Sequence, residues 1–410
     1  MHKPEKYIQS YKYIILGAGP SGLSFAHTLR QRGEESFLVI EKESISGGLC
    51  RSEHVDGAPL DIGGGHFLDV KRKEVLDLLF QFLPQSEWQE YSRISKINIR
   101  GAQIDYPLEA NLWQLPVLDQ IDFLESIAQA GCVRGLPMPG SFDEWISWKL
   151  GDRIAEEYML PYNRKIWSTD LNELGTYWLY KLPDVSFRET LQSCLEGKPA
   201  GSLPAHGTFL YPKSYGYGQV WQFMGEALGD RLRTSTPVTS IDISNRVVNG
   251  RFKAEKIITT IPWTLWPAIT EVPESIKCEI SKLRHASIDV DYHPETLPTI
   301  AHWIYDPDEI LAHHRILCRS NFCKAGKGYW TETNSTRAIE TKGWRHRNEY
   351  AYPLNTRGKP EAKAEICLWA EQNGIIGLGR WGTWEHMNSD VAVSLGITAA
   401  KNIQNEMKYT

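Results

Sequence analysis

No apolar run in the 410 residues approaches the roughly 18–20 needed to cross a bilayer. The opening "MHKPEKYIQSYK" is polar and lacks the apolar core of a signal peptide. Together these predict a cytoplasmic protein with no transmembrane segment. Cysteine is sparse and scattered, at positions 50, 132, 194, 278, 318, 323 and 367, with no Cys-x-x-Cys pair. That pattern argues against a disulfide framework and against a thiolate zinc site, so reduced thiols and no metal are expected. Positive charge is not in excess either: the formal net charge is −5. No global basic field exists to hold nucleic acid or an anionic membrane. An anionic ligand must therefore be met by a few individually placed Arg and Lys residues. Internal repeats and low-complexity tails are absent as well.

What is present is a succession of periods. The first seventy residues alternate "KYIILG" as strand, "SGLSFAHTLRQRG" as helix and "SFLVIEK" as strand, the βαβ pattern of a parallel sheet. From about 71 to 200 apolar residues recur at three-to-four spacing in "KEVLDLLFQFL", "LDQIDFLESIAQAG", "FDEWISWKLGDRIAEEYMLPYNRKIW" and "TYWLYKLP", which predicts a mostly helical stretch. Short β segments with an "NG" hairpin signal follow over 231–262. Aromatic and β-branched residues from 285 to 370 predict an antiparallel sheet, and "GIIGLGRWG" leads into a closing helix. The expected fold is α/β: a discontinuous Rossmann-type FAD-binding domain (1–70, 205–265 and 366–410), a mainly helical insertion (71–204) and a β-rich substrate domain (266–365).

The chemistry-bearing residues start with Gly17, Gly19 and Gly22, a G-x-G-x-x-G directly after a strand and opening a helix. In such a turn the glycines serve the tight bend, the approach of backbone to pyrophosphate, and the helix–strand contact. Glu41, followed by Lys42, ends the second strand where a carboxylate meets a ribose 2′-hydroxyl; this disfavours a 2′-phosphate and leaves FAD or NAD. A nicotinamide domain would continue with another βαβ unit. Here a second glycine pair, Gly47–Gly48, is followed by Arg51 and by a β excursion ending in Gly63-Gly64-Gly65-His66. Glycines of this kind let backbone pass close to a long, flat ligand.

The stretch 41–69 resembles the flavoprotein group that contains amine oxidases, protoporphyrinogen oxidase and UDP-galactopyranose mutase, and the resemblance implies FAD. Four further stretches resemble the mutase branch. "IDYPLEANLWQLP" places Tyr106 in a segment lining the sugar-nucleotide site. "YNRKIWSTDLNELGTYWL" resembles a Y-N-x-K-x-W segment whose Asn and Trp lie by the sugar, here Asn163 and Trp167. "HHRILCRSNF" gives Arg315 the grip on the nucleotide diphosphate. "GRWGTWEHMNSDVAVSLG" resembles the flavin-closing segment, with Arg380, Asn388 and Ser389. Lys42, Gly48, Arg51, Gly65 and Val238 complete the expected cofactor contacts and His386 the substrate contacts; Tyr352, whose hydroxyl can donate to phosphate without a desolvated charge, is a further expected substrate contact. His66 is the implied flavin-facing residue that tunes the reactive nitrogen N5.

The resemblance implies a reduced flavin, supplied with electrons by external NAD(P)H, whose N5 attacks the anomeric carbon of a nucleotide-diphosphate hexose. A pyranose–furanose mutase serving a surface polysaccharide or a glycosylated natural product is the implied activity; an oligomer is compatible with it. Three departures stand out. Leu210 occupies the place of a second diphosphate arginine, which Lys213 or Arg188 could replace. His386 stands where a tyrosine contacts diphosphate, and Glu109 where a substrate-side glutamine is found. These leave two other readings open: an oxidoreductase of the amine oxidase or protoporphyrinogen oxidase kind, and an FAD-binding scaffold without activity.

Overall fold

Strand Gln9–Leu16 sits in the middle of a seven-stranded sheet, parallel to Phe37–Ile40 on one side and to Phe252–Thr259 on the other. The structure, a computed structural model, describes residues 8–406 apart from 70, 180, 181, 183 and 202–206, and only the backbone of 404–406. Strand Phe37–Ile40 is buried on both faces, as parallel strands covered by helices are. Leu232–Arg233 extends the sheet beyond it. On the far side, Ile375–Gly377 pairs in parallel with Phe252–Thr259, so residues from the start, middle and end of the chain share one sheet. Helix Pro20–Gln31 packs on the closing helix Ser389–Glu406, with Gly396 set against Ser24 and the backbone of Ser21. The "NG" signal is realised as a turn: Asn249 (φ 53°) and Gly250 (φ 61°) carry the positive angles of a type I′ turn, and Arg251 N–H donates to Val248 O.

A second seven-stranded sheet has the order Arg345–Pro353, His285–His293, Tyr329–Asn334, Arg315–Leu317, Trp303–Tyr305, Ser95–Ile99, Ala102–Asp105. Its last two strands come from the stretch that reads as helical, and one pairing, Trp303–Tyr305 with Ser95–Ile99, is parallel. The reason is visible in the sequence of Ser95–Ile99, whose buried and half-buried positions alternate with period two. "TYWLYKLP" also departs from its helical spacing. Leu174 and Gly175 form isolated bridges to Thr356 and Ser141, and 176–178 are bend and turn; Tyr180, Lys181 and Pro183 lie outside the described residues.

The remaining helical prediction is realised with an interruption. Helix Phe142–Ile154 runs through a π-helical turn, Ala155–Met159, into Leu160–Trp167. Gly151 (φ 77°) breaks the first of these where a Cβ would stand 2.6 Å from Ser126 O on the preceding helix. The inserted residue of a π turn shifts the register of everything after it. Tyr158 and Tyr162 thereby face the second sheet, where Tyr162 meets Tyr305 and His314 edge-on.

Candidate active site

The glycine turn is built as its spacing requires. Gly17 has φ 101°, and a Cβ there would lie 2.3 Å from Thr260 Oγ1; a Cβ on Gly22 would lie 2.1 Å from Gly17 O. Gly19 and Gly48 face one another backbone to backbone, with a Gly48 Cβ only 3.3 Å from Gly19 Cα. Helix Pro20–Gln31 has no side-chain cap and no acidic residue in its first turn. Glu41 is buried, and its two oxygens accept from Ala18 N–H (2.7 Å) and Glu43 N–H (3.0 Å). A carboxylate has about four acceptor sites, so two remain for hydroxyls. Arg51 donates from Nε to Gly48 O and pairs with Glu43 at 3.2 Å. Lys42 is exposed and pairs with Glu43 rather than turning inward. Val238 packs at the edge of the apolar cluster that includes Ile14 and Leu38.

The Gly63-Gly64-Gly65-His66 turn has a buried carboxylate on either side. Glu332, 1% exposed, accepts from Gly65 N–H (2.8 Å) and leaves no room for a Cβ on Gly64. The same Glu332 accepts from Nε of Arg315 (2.9 Å) and from its Nη2. Burial works against the Arg315 charge, but Glu332 outweighs it and the guanidinium stays charged. Asp61 is the second of them. It is fully buried and accepts from Ser52, from Tyr211 Oη (2.9 Å) and from Tyr217 N–H (3.1 Å). Tyr217 in turn stacks on His66 at 6.4 Å and shares a 2.6 Å hydrogen bond with Ser389. Burial, with Arg380 and Arg315 nearby, pushes the His66 imidazole down to about 3, so it is neutral in ordinary conditions. Its Nδ1 faces Gly64 O at 3.2 Å, and a carbonyl can only accept. Nδ1 therefore carries the proton and Nε2 is left as an acceptor.

Burial pushes the Asp61 carboxyl up to about 7, against three hydrogen bonds that favour the charged form. An unfolded aspartate titrates near 4. Between those values the folded chain holds a proton that the unfolded chain has released, so stability falls as pH rises through that window. The slope is at most about 1.4 kcal/mol per pH unit. Asp61→Asn should flatten this dependence: a Tm series between about pH 4 and 7 should decline less steeply for the variant than for the parent, and parallel curves would disprove the assignment.

Around Tyr352 three of the predicted substrate residues, Trp167, His386 and Tyr352 itself, come together. Its hydroxyl accepts from Arg315 Nη2 at 3.4 Å. Its ring lies edge-on to Trp167 (6.0 Å) and His386 (5.0 Å) and under the Arg380 guanidinium (5.7 Å). Arg380 is held by Ala351 O (2.7 Å) and Met387 O (2.6 Å), and burial lowers its pKa. Asn388 is exposed just before the closing helix. Asn163 is engaged internally: its amide donates to Met159 O (2.7 Å), and its Oδ1 accepts from Trp167 Nε1 (2.9 Å). It orients Trp167.

Tyr106 meets Tyr305 at 5.1 Å, and both touch Arg93, which lies over Tyr106 and Trp303 and donates to Tyr305 Oη at 3.0 Å. Arg93, Tyr162, Tyr305, Tyr217 and Glu332 were not singled out from sequence. Tyr162 adjoins Asn163 in the quoted segment; the others carry no local signature. Leu210 is core, paired with Leu68 and Glu90 on short strands. Lys213 does not replace the missing cation, because its Nζ donates to Ser86 O at the surface. Arg188 is exposed at a separate cavity. Arg93 is the additional cation on this side. Among the described residues no group of three or more His, Cys, Asp or Glu could hold a metal ion, and no helix is long and apolar enough to cross a membrane.

Residues 15–82 match the profile of an NAD(P)-binding Rossmann-like domain. An uncharacterized protein from the nifH2 3′ region of Methanothermococcus thermolithotrophicus is 48% identical over 52 residues, 13% of this chain and 49% of its own length. UDP-galactopyranose mutase of Mycoplasma pneumoniae is 30% identical over 104 residues, 25% of this chain and 24% of its own. The chain thus spans less than half the length of either relative. The likeness in structure is far wider. Reduced UDP-galactopyranose mutase superposes with a TM-score of 0.86 at 22% identity, covering 97% of this chain and 94% of that one. Cyclohexylamine oxidase from Brevibacterium oxydans gives 0.67 at 17% identity over 98% and 100%. The fold is therefore that of UDP-galactopyranose mutase, shared more loosely with amine oxidases.

Proposed function

We propose that this chain binds FAD and interconverts the pyranose and furanose forms of a nucleotide-diphosphate hexose. The residues present fit the cofactor. An uncapped helix end suits a pyrophosphate, the facing Gly19 and Gly48 admit it closely, and Glu41 keeps acceptor sites for ribose hydroxyls. His66, Gly65, Arg380 and Ser389 would border the flavin. When bound and reduced, FAD supplies a nucleophilic nitrogen for an anomeric carbon.

The observation that carries the reading is the joint Arg315–Glu332–Gly65. It fixes a guanidinium fork beside the turn that faces the flavin, with Tyr352, Trp167 and His386 alongside. Glu332 takes the Nε–Nη2 edge of Arg315, leaving Nη1 and the Tyr352 hydroxyl for diphosphate oxygens. Held this way, the fork stabilises charge on a departing diphosphate while the sugar stays over the turn. Trp167, fixed by Asn163, offers an apolar face to the sugar ring. His66 Nε2, being an acceptor, can receive a hydrogen bond from the cofactor or the sugar. NAD(P)H would reduce the protein from outside.

The test is direct. Dithionite-reduced protein is incubated with UDP-, GDP-, CDP- and dTDP-hexoses, and furanose product and scrambling of the bridging anomeric oxygen are measured. Both should appear with at least one nucleotide. The amine oxidase-like fold favours a second reading, oxidation of an amine or porphyrinogen. Catalytic reoxidation by such a substrate, with no sugar nucleotide turned over, would establish that reading instead.

A further inference from the structure

Glu332 has a second basic neighbour besides Arg315. The His314 imidazole is wholly buried, and its Nε2 lies 3.7 Å from Glu332 Oε2, the oxygen that takes the Arg315 fork. The backbone holds it there: His314 N–H donates to Glu332 O (2.9 Å), and Asp306 N–H donates to His314 O (3.0 Å). Neither ring nitrogen has a hydrogen-bond partner among the described residues. A buried polar group without a partner costs about 1–3 kcal/mol, which an apolar side chain would avoid. The imidazole is therefore worth explaining by use rather than by packing.

The ionisable groups around this ring come from four segments. Glu332 stands on the strand Tyr329–Asn334, and His313 and Arg315 flank the ring in the chain. Helix Leu160–Trp167 contributes Tyr162, edge-on at 5.9 Å, and Lys165. Lys165 is committed elsewhere, donating from Nζ to Asp306 O (2.9 Å) and Asp308 O (2.5 Å). Asp306, just past the strand Trp303–Tyr305, is committed too, accepting from Asn98 (2.8 Å) and from Asp308 N–H (3.0 Å). Burial first, then the charges of Arg315, Lys165 and His313, hold the imidazole well below its ordinary value, so it is neutral.

Charge counting shows what the imidazole can add. Arg315 and Glu332 together are electrically neutral, so the fork offers phosphate its donors without an uncompensated charge. The pyrophosphate of a nucleotide sugar brings two negative charges, and Arg380 beside Tyr352 can answer one of them. Inside a protein such an imbalance counts for far more than in water. We propose that His314 is a positioning residue for the diphosphate: when the anion binds, the imidazole takes a proton from water, closes on Glu332 and leaves the Arg315 charge to the phosphates. The proposal rests on the nucleotide-sugar reading above. The imidazolium donates from Nε2 to Glu332 Oε2 in a charge-assisted bond, and the proton returns to water when the ligand leaves. Protonation favours binding, so affinity falls as pH rises through neutrality, by at most about ten-fold per pH unit for one proton.

The oxidised holoenzyme is titrated calorimetrically with UDP-galactose, GDP-mannose, CDP-glucose and dTDP-glucose. Their pyrophosphate diesters carry a fixed charge near neutrality, so any proton bound goes to the protein. For the tightest of them, heats in HEPES and in Tris at about pH 7 should reveal uptake of up to about one proton per ligand. His314→Asn should abolish most of that uptake and weaken binding by about ten-fold at about pH 6, with the gap narrowing towards about pH 8. A loss of affinity equal at every pH would make the residue merely structural and overturn the proposal. So would uptake unchanged in the variant, or a parent protein that binds without taking up a proton, a result that needs no variant. Either leaves the diphosphate grip of Arg315 standing. If none of the four ligands binds, the nucleotide-sugar reading fails and the role of His314 with it.

Discussion

Arg315→Ala is expected to lower affinity for nucleoside diphosphates by about a hundred-fold and to destabilise the folded chain by about 3–5 kcal/mol. The two effects have different origins. The first is the loss of charge-assisted hydrogen bonds to phosphate, each worth about 1.5–3 kcal/mol. The second arises because Glu332, 1% exposed, is left in a buried site from which its cation has gone. Arg315→Ala combined with Glu332→Gln separates them. The double variant should recover most of the stability, since a neutral amide can still accept from Gly65 N–H, yet should bind no better than the single variant. Calorimetric titration and thermal unfolding on the same preparations read both quantities. Undiminished affinity in Arg315→Ala would remove the residue from the diphosphate site, and with it the central support for the mutase reading.

Gly22→Ala is expected to yield a chain that does not retain FAD and is destabilised by 1–3 kcal/mol or more. The new methyl would stand 2.1 Å from Gly17 O, a backbone atom held by the Gly17 N–H bond to Ile40 O. Neither side can yield without opening the turn proposed to receive the pyrophosphate. Gly358→Ala is the control. It also lies at a helix N-terminus, with φ −89° and nothing within 4 Å of the added Cβ, so it should cost no more than a weakened N-cap, about 1 kcal/mol, and leave FAD retention unchanged. Flavin absorbance after gel filtration distinguishes the two variants, and a Gly22→Ala protein with a full complement of FAD would show that the turn does not touch the cofactor.

The contrast between what could and could not be read from sequence follows the range of the interactions. The Gly17–Gly22 turn and the Asn249-Gly250 turn are local: each needs positive φ or missing side chains within a few residues, and glycine advertises that. Helix periodicity located Phe142–Trp167 but not its Gly151 break, because the break answers to Ser126 on another helix. Strands Ser95–Ile99 and Ala102–Asp105 were overlooked for being five and four residues long inside a helical stretch. The site shows the same division. Arg315 and Trp167 stand out as isolated residue types in resembling segments, and Tyr352 by its hydroxyl. Glu332 did not, since nothing in "YWTETN" says that its carboxylate will meet a guanidinium seventeen residues earlier and a glycine N–H some 270 residues earlier. Lys213 was a reasonable substitute for the cation missing at Leu210 on proximity in sequence, but strand Thr208–Pro212 carries it to the surface.

The sheet that joins the two ends of the chain has a consequence during synthesis. Strand Phe252–Thr259 needs Ile375–Gly377 on one edge, and helix Pro20–Gln31 needs the closing helix against Gly396. At about 5–20 residues per second the ribosome takes on the order of ten seconds to pass from one strand to the other. Throughout that interval the nascent chain exposes an unpaired edge rich in isoleucine, an open invitation to strand addition by a neighbour. Nascent chains of this protein are therefore expected to depend on chaperone occupancy until the last helix has left the exit tunnel.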